Sequence, residues 1–345
     1  MLIESTTPPQ SKKLSNLSLL VALKGSLGTV GDEIAELTKL IPTYLPVETD
    51  SSQRMVQHLF SNPGKMIRPA LYLLSCRLFS YEGPHKFSMA AVCEFVHTAS
   101  LLHDDVIDNS TTRRNRPTAN SIWGDEAAVL MGDLIYARAS EMMAETSNLQ
   151  IVSAFAQAIR IMSESELLQL EHLYSPNIPA DVYFRILNGK TAVLIGAACK
   201  CAGLLGGANT QQLHAIESFG QKIGTAFQVV DDALDFLGET SILGKTKYLD
   251  LQEGKVTLPV ILLKTFMTVH EKKDLEAIYK EAQFTGSEIN KVAALVHKYN
   301  TAHMALTHAR QMTDEASDIL HTNFPPSSAR DDLESLAHHL SFRMH

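Results

Sequence analysis

Apolar residues recur at three- and four-residue steps along most of the chain, as in Met89, Val92, Cys93, Val96, Ala99 and the small Ser100. That spacing lines one face of a helix with 3.6 residues per turn. It predicts helices over 51–62, 86–107, 126–145, 150–173, 181–203, 211–237, 257–281, 288–319 and 328–342. Ala, Leu, Met, Glu, Gln and Lys, which lose little on entering a helix, dominate these segments. Short breakers separate them: Asn62-Pro63-Gly64, Gly83-Pro84, Gly206-Gly207 and Phe324-Pro325-Pro326. No segment alternates as a half-buried strand does. With no Ser-, Gly- or Pro-rich linker to divide the chain, the reading is one all-α domain over 1–345. Its polar stretch 1–16, with Pro8 and Pro9, is expected to be flexible.

Composition narrows the class. At 345 residues, 45% of them hydrophobic, the chain can bury a large core. A formal charge of -8 argues against a nucleic-acid partner, because that partnership depends on basic surface releasing counterions. Cys76, Cys93, Cys199 and Cys201 sit in apolar segments without CxxC spacing, so neither a disulfide framework nor a zinc site is expected. The N-terminus is too polar for a signal peptide, and no uncharged apolar run is long enough to span a bilayer. The expected setting is the cytoplasm.

One motif occurs twice. Asp104-Asp105-Val106-Ile107-Asp108 and Asp231-Asp232-Ala233-Leu234-Asp235 both read DDxxD. On a helix, positions i and i+4 stack and i+1 lies beside them, so each copy crowds three carboxylates into one turn. Like charges at that spacing oppose the helix, and each cluster falls late in an apolar helix, where the dipole disfavours anions. Taken singly, such a cluster reads as solvated charge, with Asp108 capping the next helix beside Asn109 and Ser110. Two copies call for compensation. Hard divalent cations supply it, since Mg²⁺ takes one or two carboxylates and completes its octahedron with water and phosphate oxygens.

Cations stand close by. Lys65 and Arg68 lie at a helix start, where free backbone N–H groups also favour anions. Arg113 and Arg114 follow the first cluster; Lys245 and Lys255 follow the second. Arginine forks suit phosphate oxygens and lysine acts as a point charge, so the set suits two diphosphates, one metal-bridged and one metal-free.

From about Gln57 to the C-terminus the chain resembles the trans-isoprenyl diphosphate synthases, in particular the bacterial long-chain, octaprenyl-type group. The resemblance rests on GKMIRP (64–69), HTASLLHDDVIDNSTTRR (97–114), ELLQL (166–170), GKT (189–191), FQVVDDALDFLG (227–238) and GKTKYLDLQEGKVTLP (244–259). It implies the isoprenoid synthase fold, a bundle of long antiparallel helices around a central cavity, in a homodimer. It also implies about three Mg²⁺ ions held by Asp104, Asp105, Asp108, Asp231 and Asp235, with Asp232 in the same cluster. Arg113, Lys190, Thr191, Gln228, Lys245 and Lys255 would serve an allylic diphosphate, farnesyl or geranyl. Lys65, Arg68, His97 and Arg114 would hold isopentenyl diphosphate. The product would enter ubiquinone or menaquinone synthesis. Two departures from the family pattern are Pro63, where a second Gly is common before Gly-Lys, and Asn115, where Gly usually follows Arg-Arg.

Product length is read from the turn before the first motif. Ala99 and Ser100 are small and lie one turn before Asp104, which leaves room for a growing apolar tail to run past Val96, Phe95 and Val92. Leu134, Ile135, Met142 and Met143 are candidates for the floor. Competing readings explain less: a shorter-chain synthase does not need the small pair. A class I terpene cyclase leaves the second DDxxD and the Lys65/Arg68 pair without a role. An HD-type phosphohydrolase built on His103, Asp104, His58 and Asp231 leaves Asp105 and Asp108 idle, and a non-catalytic partner subunit need not carry six carboxylates.

Overall fold

The computed structural model describes residues 30–62, 64–113, 116–238, 247–281 and 284–341. The elements in order are α1 (Gly31–Leu40), a 3₁₀ turn (Ile41–Tyr44), α2 (Asp50–Phe60), α3 (Ile67–Leu78) and α4 (Lys86–Ile107). A hairpin, β1 (Thr112–Arg113) and β2 (Arg116–Pro117), leads to α5 (Ala119–Trp123), α6 (Asp125–Glu145), α7 (Leu149–Glu171) and α8 (Ala180–Leu187). A π-turn (Asn188–Ala192) joins α8 to α9 (Val193–Leu205), followed by α10 (Thr210–Leu237), α11 (Leu249–Gln252), α12 (Leu258–Phe266), α13 (Val269–Lys280), α14 (Gly286–Lys298), α15 (Thr301–Asn323) and α16 (Ser328–Ser341). The all-α expectation holds.

The differences have local causes. Helix α3 escapes the periodic reading because Ala70 to Leu74 are all fully buried, and a helix buried all round shows no polar face to mark its period. The expected helix 257–281 breaks at Met267, where the chain turns extended and Thr268 starts α13 with a Thr268/Glu271 capping box. The expected helix 288–319 breaks at Asn300, which takes a left-handed conformation (φ 56°). Helix 181–203 is interrupted by the π-turn. Two-residue strands are too short to alternate, which hid the hairpin and its Arg113↔Arg116 register.

Helix α10 is the spine. Ala215, Ile216, Phe219 and Ile223 from its first half join a core with α3, α4, α6, α7 and α9. Ala226, Val229, Val230, Ala233 and Phe236 from its second half join a second core with α8, α12, α14 and α15. Two glycines let the π-turn sit where it does. A Cβ on Gly224 would meet the Ala192 Cα at 2.5 Å, and one on Gly189 would meet Ser165 Oγ at 1.6 Å. The π-turn is thus pressed between α10 and α7 with no room for a side chain. Among the described residues no helix is long and apolar enough to cross a membrane. All four cysteines are free and buried.

Candidate active site

The first acidic motif ends α4, with Asp108 as its C-cap rather than the cap of a following helix, which begins only at Ala119. Its three carboxylates are used differently. Asp105 is 5% exposed and accepts from Arg113 Nε and Nη2 on the same oxygen, both at 2.8 Å. Asp104 is half-buried, and its pKa is pushed up to about 6, foremost by burial and next by Glu166, with Lys190 opposing. Glu166, on α7, holds Lys190 at 3.0 Å. Asp108, at the end of the helix, lies 3.9 Å from Lys255 Nζ.

The second motif lies in the last two turns of α10. Asp235 accepts the backbone N–H groups of Leu249 (3.1 Å) and Asp250 (3.3 Å) and so caps α11. Asp232 points inward, 5% exposed, and takes one hydrogen bond on each oxygen, from Tyr183 (2.7 Å) and from Gln228 Nε2 (3.0 Å). Burial, reinforced by Asp250, raises its pKa well above the usual carboxylate range, against those two hydrogen bonds. Lys255 follows α11. Burial works to lower its pKa, but Glu253, Asp108 and Asp250 outweigh this and raise it, so it stays a cation.

The π-turn ties the motifs together. Lys190 faces Glu166 and the field of Asp104, while its neighbour Thr191 donates to Gln228 Oε1 at 2.9 Å, and Gln228 leads on to Asp232. Residues 104, 190 and 228, far apart in sequence, thereby border one region, with Lys255 closing it from the side of α11. A cavity beside it is lined by Gly64, Met66, His97, Asp105, Arg113 and Arg116. Arg113 and His97 thus line the same cavity. Arg68 is the second residue of α3, two positions after the left-handed Met66, as the helix-start reading expects. Lys65 is exposed on the preceding loop. Arg114 and Lys245, and the two departures Pro63 and Asn115, lie outside the described residues.

Several participants carried no sequence signal of their own. Glu166 lies in the ELLQL segment but shows its role only through Lys190. Arg116 is anchored by His58 and Ser61, its Nη1 donating to Ser61 Oγ at 2.9 Å. The phosphohydrolase constellation does not assemble: His103 Nε2 faces Val129 O at 3.2 Å on α6, and His58 Nε2 faces Pro117 O at 3.0 Å. Of the proposed tunnel floor, Ile135, Met142 and Met143 are buried, but Leu134 is 40% exposed on the outer face of α6 and leaves the set. Ala99 is fully buried and Ser100 half-buried.

Among the described residues no three His, Cys, Asp or Glu side chains are gathered into a ready-made metal cage. Mg²⁺ does not require one, since it keeps several waters and shares its remaining positions with substrate phosphates. The donor set fits it: every candidate ligand is a hard carboxylate oxygen, and Asp104 is a carboxyl whose ionisation costs energy until a cation arrives.

Comparison with known proteins shows the family to which the chain belongs. Over 204 residues the chain is 42% identical to the octaprenyl diphosphate synthase of Escherichia coli, a match covering 59% of this chain and 63%, less than two thirds, of that protein. Over 284 residues it is 36% identical to the octaprenyl diphosphate synthase of Haemophilus influenzae, covering 81% of this chain and 85% of the relative. A crystal structure of polyprenyl synthase from Caulobacter crescentus, complexed with calcium and isoprenyl diphosphate, superposes with a TM-score of 0.88 at 32% identity, covering 94% of this chain and 98% of that one. The family model described as polyprenyl synthetase matches residues 49–296, and the chain, with both acidic motifs set about one lysine-bearing turn, belongs to that family.

Proposed function

We propose that the chain is a prenyltransferase, a trans-polyprenyl diphosphate synthase that adds isopentenyl diphosphate head-to-tail to an allylic diphosphate such as farnesyl or geranyl diphosphate. Its product is a long chain of the octaprenyl class for quinone side chains, made in the cytoplasm. The observation that carries this reading is the π-turn, whose Lys190 belongs to the first motif's surroundings and whose Thr191 belongs to the second's. Bound at Asp104, Asp108, Asp231 and Asp235, with Asp105 beside them, Mg²⁺ would supply the positive charge that draws electrons into the departing diphosphate.

The chain's own residues do the rest. Lys190, Lys255 and Arg113, joined by Lys245, stabilise charge on the leaving diphosphate as the allylic C–O bond ionises. Lys65, Arg68, His97 and Arg114 hold isopentenyl diphosphate so that its double bond meets the allylic cation. The buried walls about Ala99 and Val96 keep water from quenching that cation. A proton is lost after the new bond forms, and released diphosphate is base enough to take it, so no side-chain acid/base dyad is needed. Purified protein given farnesyl diphosphate, isopentenyl diphosphate and Mg²⁺ tests the reading directly. A long polyprenyl diphosphate is expected; no prenyl product would reject it.

Arg68→Ala should raise KM for isopentenyl diphosphate about tenfold or more, as loss of a charged hydrogen bond implies, and leave KM for the allylic substrate nearly unchanged. Steady-state kinetics with each substrate varied in turn decides this; an unchanged isopentenyl KM removes Arg68 from that site.

The proposed assembly is a homodimer. Its support is an apolar stripe of Val129, Leu130 (67% exposed) and Leu134 on α6, extended by Ile122 on α5. Leu130→Glu should shift the protein from dimer to monomer in sedimentation equilibrium, because an unpaired charge in an apolar interface is costly. A wild-type monomer, or a dimer indifferent to Leu130→Glu, would reject this surface.

A further inference from the structure

Tyr183 on α8 is buried and lies on neither acidic motif. Its hydroxyl donates to Asp232 Oδ2 at 2.7 Å, and Asp232 Oδ1 accepts from Gln228 Nε2 at 3.0 Å. An amide has one donor end and one acceptor end. With its NH₂ committed to Asp232, Gln228 can offer only Oε1 to Thr191, and the Thr191 hydroxyl donates to it at 2.9 Å. With Asp232 accepting on both oxygens, each hydrogen bond in the row runs toward it, from Thr191 through Gln228 and from Tyr183. The proton of Thr191 is spent, and its oxygen has only lone pairs left to present next to Lys190.

We infer that Tyr183 is a positioning residue for the transfer reaction, acting through Asp232 and Gln228 to hold the Thr191 hydroxyl in its acceptor orientation. The inference rests on the synthase reading and adds to it a residue and a direction. Thr191 and Lys190 share the π-turn, a segment without the regular i→i−4 ladder, so side-chain partners must fix what the backbone does not. An oxygen showing lone pairs favours the positive charge that develops on the allylic carbon; one showing its proton opposes it. Burial and Asp232 both raise the Tyr183 pKa, which keeps the phenol a donor throughout the working range. The same geometry separates Asp232 from Asp235: side chains of α8 and α10 engage both oxygens of Asp232, whereas backbone N–H groups of α11 engage those of Asp235.

The test is a double-mutant cycle on the full chain with farnesyl and isopentenyl diphosphates and Mg²⁺, using Tyr183→Phe, Thr191→Val and the double variant, with melting temperatures measured alongside. Tyr183→Phe is expected to lower kcat about ten- to a hundredfold while KM for isopentenyl diphosphate stays within about twofold. With Thr191→Val already in place, Tyr183→Phe should lower kcat little further, because the group it orients has gone. A packing role alone would lower the melting temperature and make the two kcat effects multiply, and that result overturns the inference, as does an unchanged kcat for Tyr183→Phe. Should Tyr183→Phe fail to fold, 3-fluorotyrosine at 183 keeps the shape and alters the donor: kcat must then move while the melting temperature holds, and an unmoved kcat overturns the inference. A wild-type protein that makes no polyprenyl product overturns the synthase reading and this one together; an active wild type with multiplicative effects overturns only the relay.

Discussion

Asp104→Asn is expected to lower turnover by about 10²- to 10³-fold or more while leaving the protein folded and, in the absence of Mg²⁺ at neutral pH, more stable than the wild type. The two halves of that result come from one cause. Burial and the carboxylate of Glu166 push the Asp104 pKa up to about 6, above its ordinary value of 3.8. A carboxyl whose folded pKa is raised favours folding while it is protonated. That contribution is fully present below the ordinary value and is lost as pH rises through about 6. Above that pH the wild type holds a charge that its surroundings oppose, and asparagine does not. Melting temperatures measured without metal should therefore favour Asp104→Asn at pH 7.5 and converge toward pH 4. Added Mg²⁺ with a diphosphate should narrow the gap at pH 7.5 by stabilising the wild type through binding. For the same reason wild-type activity should demand more Mg²⁺ below about pH 6, where protons compete for Asp104. A variant that keeps near-normal turnover would remove the metal reading of the first motif, and one less stable than wild type at pH 7.5 would show that Asp104 is held by an opposite charge instead.

The carboxylates were legible because their cost is local: three acidic groups in one helical turn need a reason wherever the helix goes. Their division of labour was also present in the sequence, though less openly. On α10, Val229, Asp232, Ala233 and Phe236 fall at the three- and four-residue steps of the buried face, so the middle aspartate lies on the apolar stripe and Asp231 and Asp235 beside it. On α4, Phe95, Ala99, Leu102 and Asp105 repeat the pattern. In each motif the middle carboxylate is the buried one, and each has found an inward partner, Arg113 or Tyr183. Arg113, close behind the first motif, stood out as a neighbouring cation; Tyr183 did not, since a tyrosine 49 positions from its aspartate leaves no periodic trace. The π-turn was invisible for a related reason. Periodicity sees whether apolar residues face the core, and residues 181–203 keep that property through the extra residue that displaces Lys190 and Thr191 from a regular helix. Its position is written instead in Gly189 and Gly224, whose meaning depends on what approaches them.

Ser100→Phe and Ala99→Phe are expected to shorten the product while leaving the first condensation nearly as fast as in the wild type. The growing chain has a charged end fixed at the acidic motifs and an apolar tail that gains by leaving water. Each added isoprene unit lengthens that tail, which must find dry space directed away from Asp104. The turn before the motif is where such space begins, about 5.4 Å back along α4. Beyond Ala99, Val96, Phe95 and Val92 are fully buried, and on α6 Ile135, Met142 and Met143 are buried as well, so the region is apolar along its length. Small side chains at 99 and 100 would let the tail pass at the mouth, and a phenyl ring there would meet it after the first additions. In the proposed reaction the primer's first carbon would stay with Lys190 and the acidic residues, one turn away from the new ring, so ionisation and the first attack should be spared. The two variants differ usefully. Ala99 is fully buried, and overpacking it costs about 1–3 kcal/mol of stability, whereas half-buried Ser100 can turn part of a ring outward. A product shortened by Ser100→Phe at an unchanged melting temperature therefore reports a blocked channel and not a loosened fold. Mass spectrometry of the diphosphates, with the rate of the first addition measured separately, gives both quantities. If the wild type stops at farnesyl or geranylgeranyl diphosphate, or if neither ring shortens the chain, the tail does not run past this turn, and the long-product reading falls even while the condensation chemistry stands.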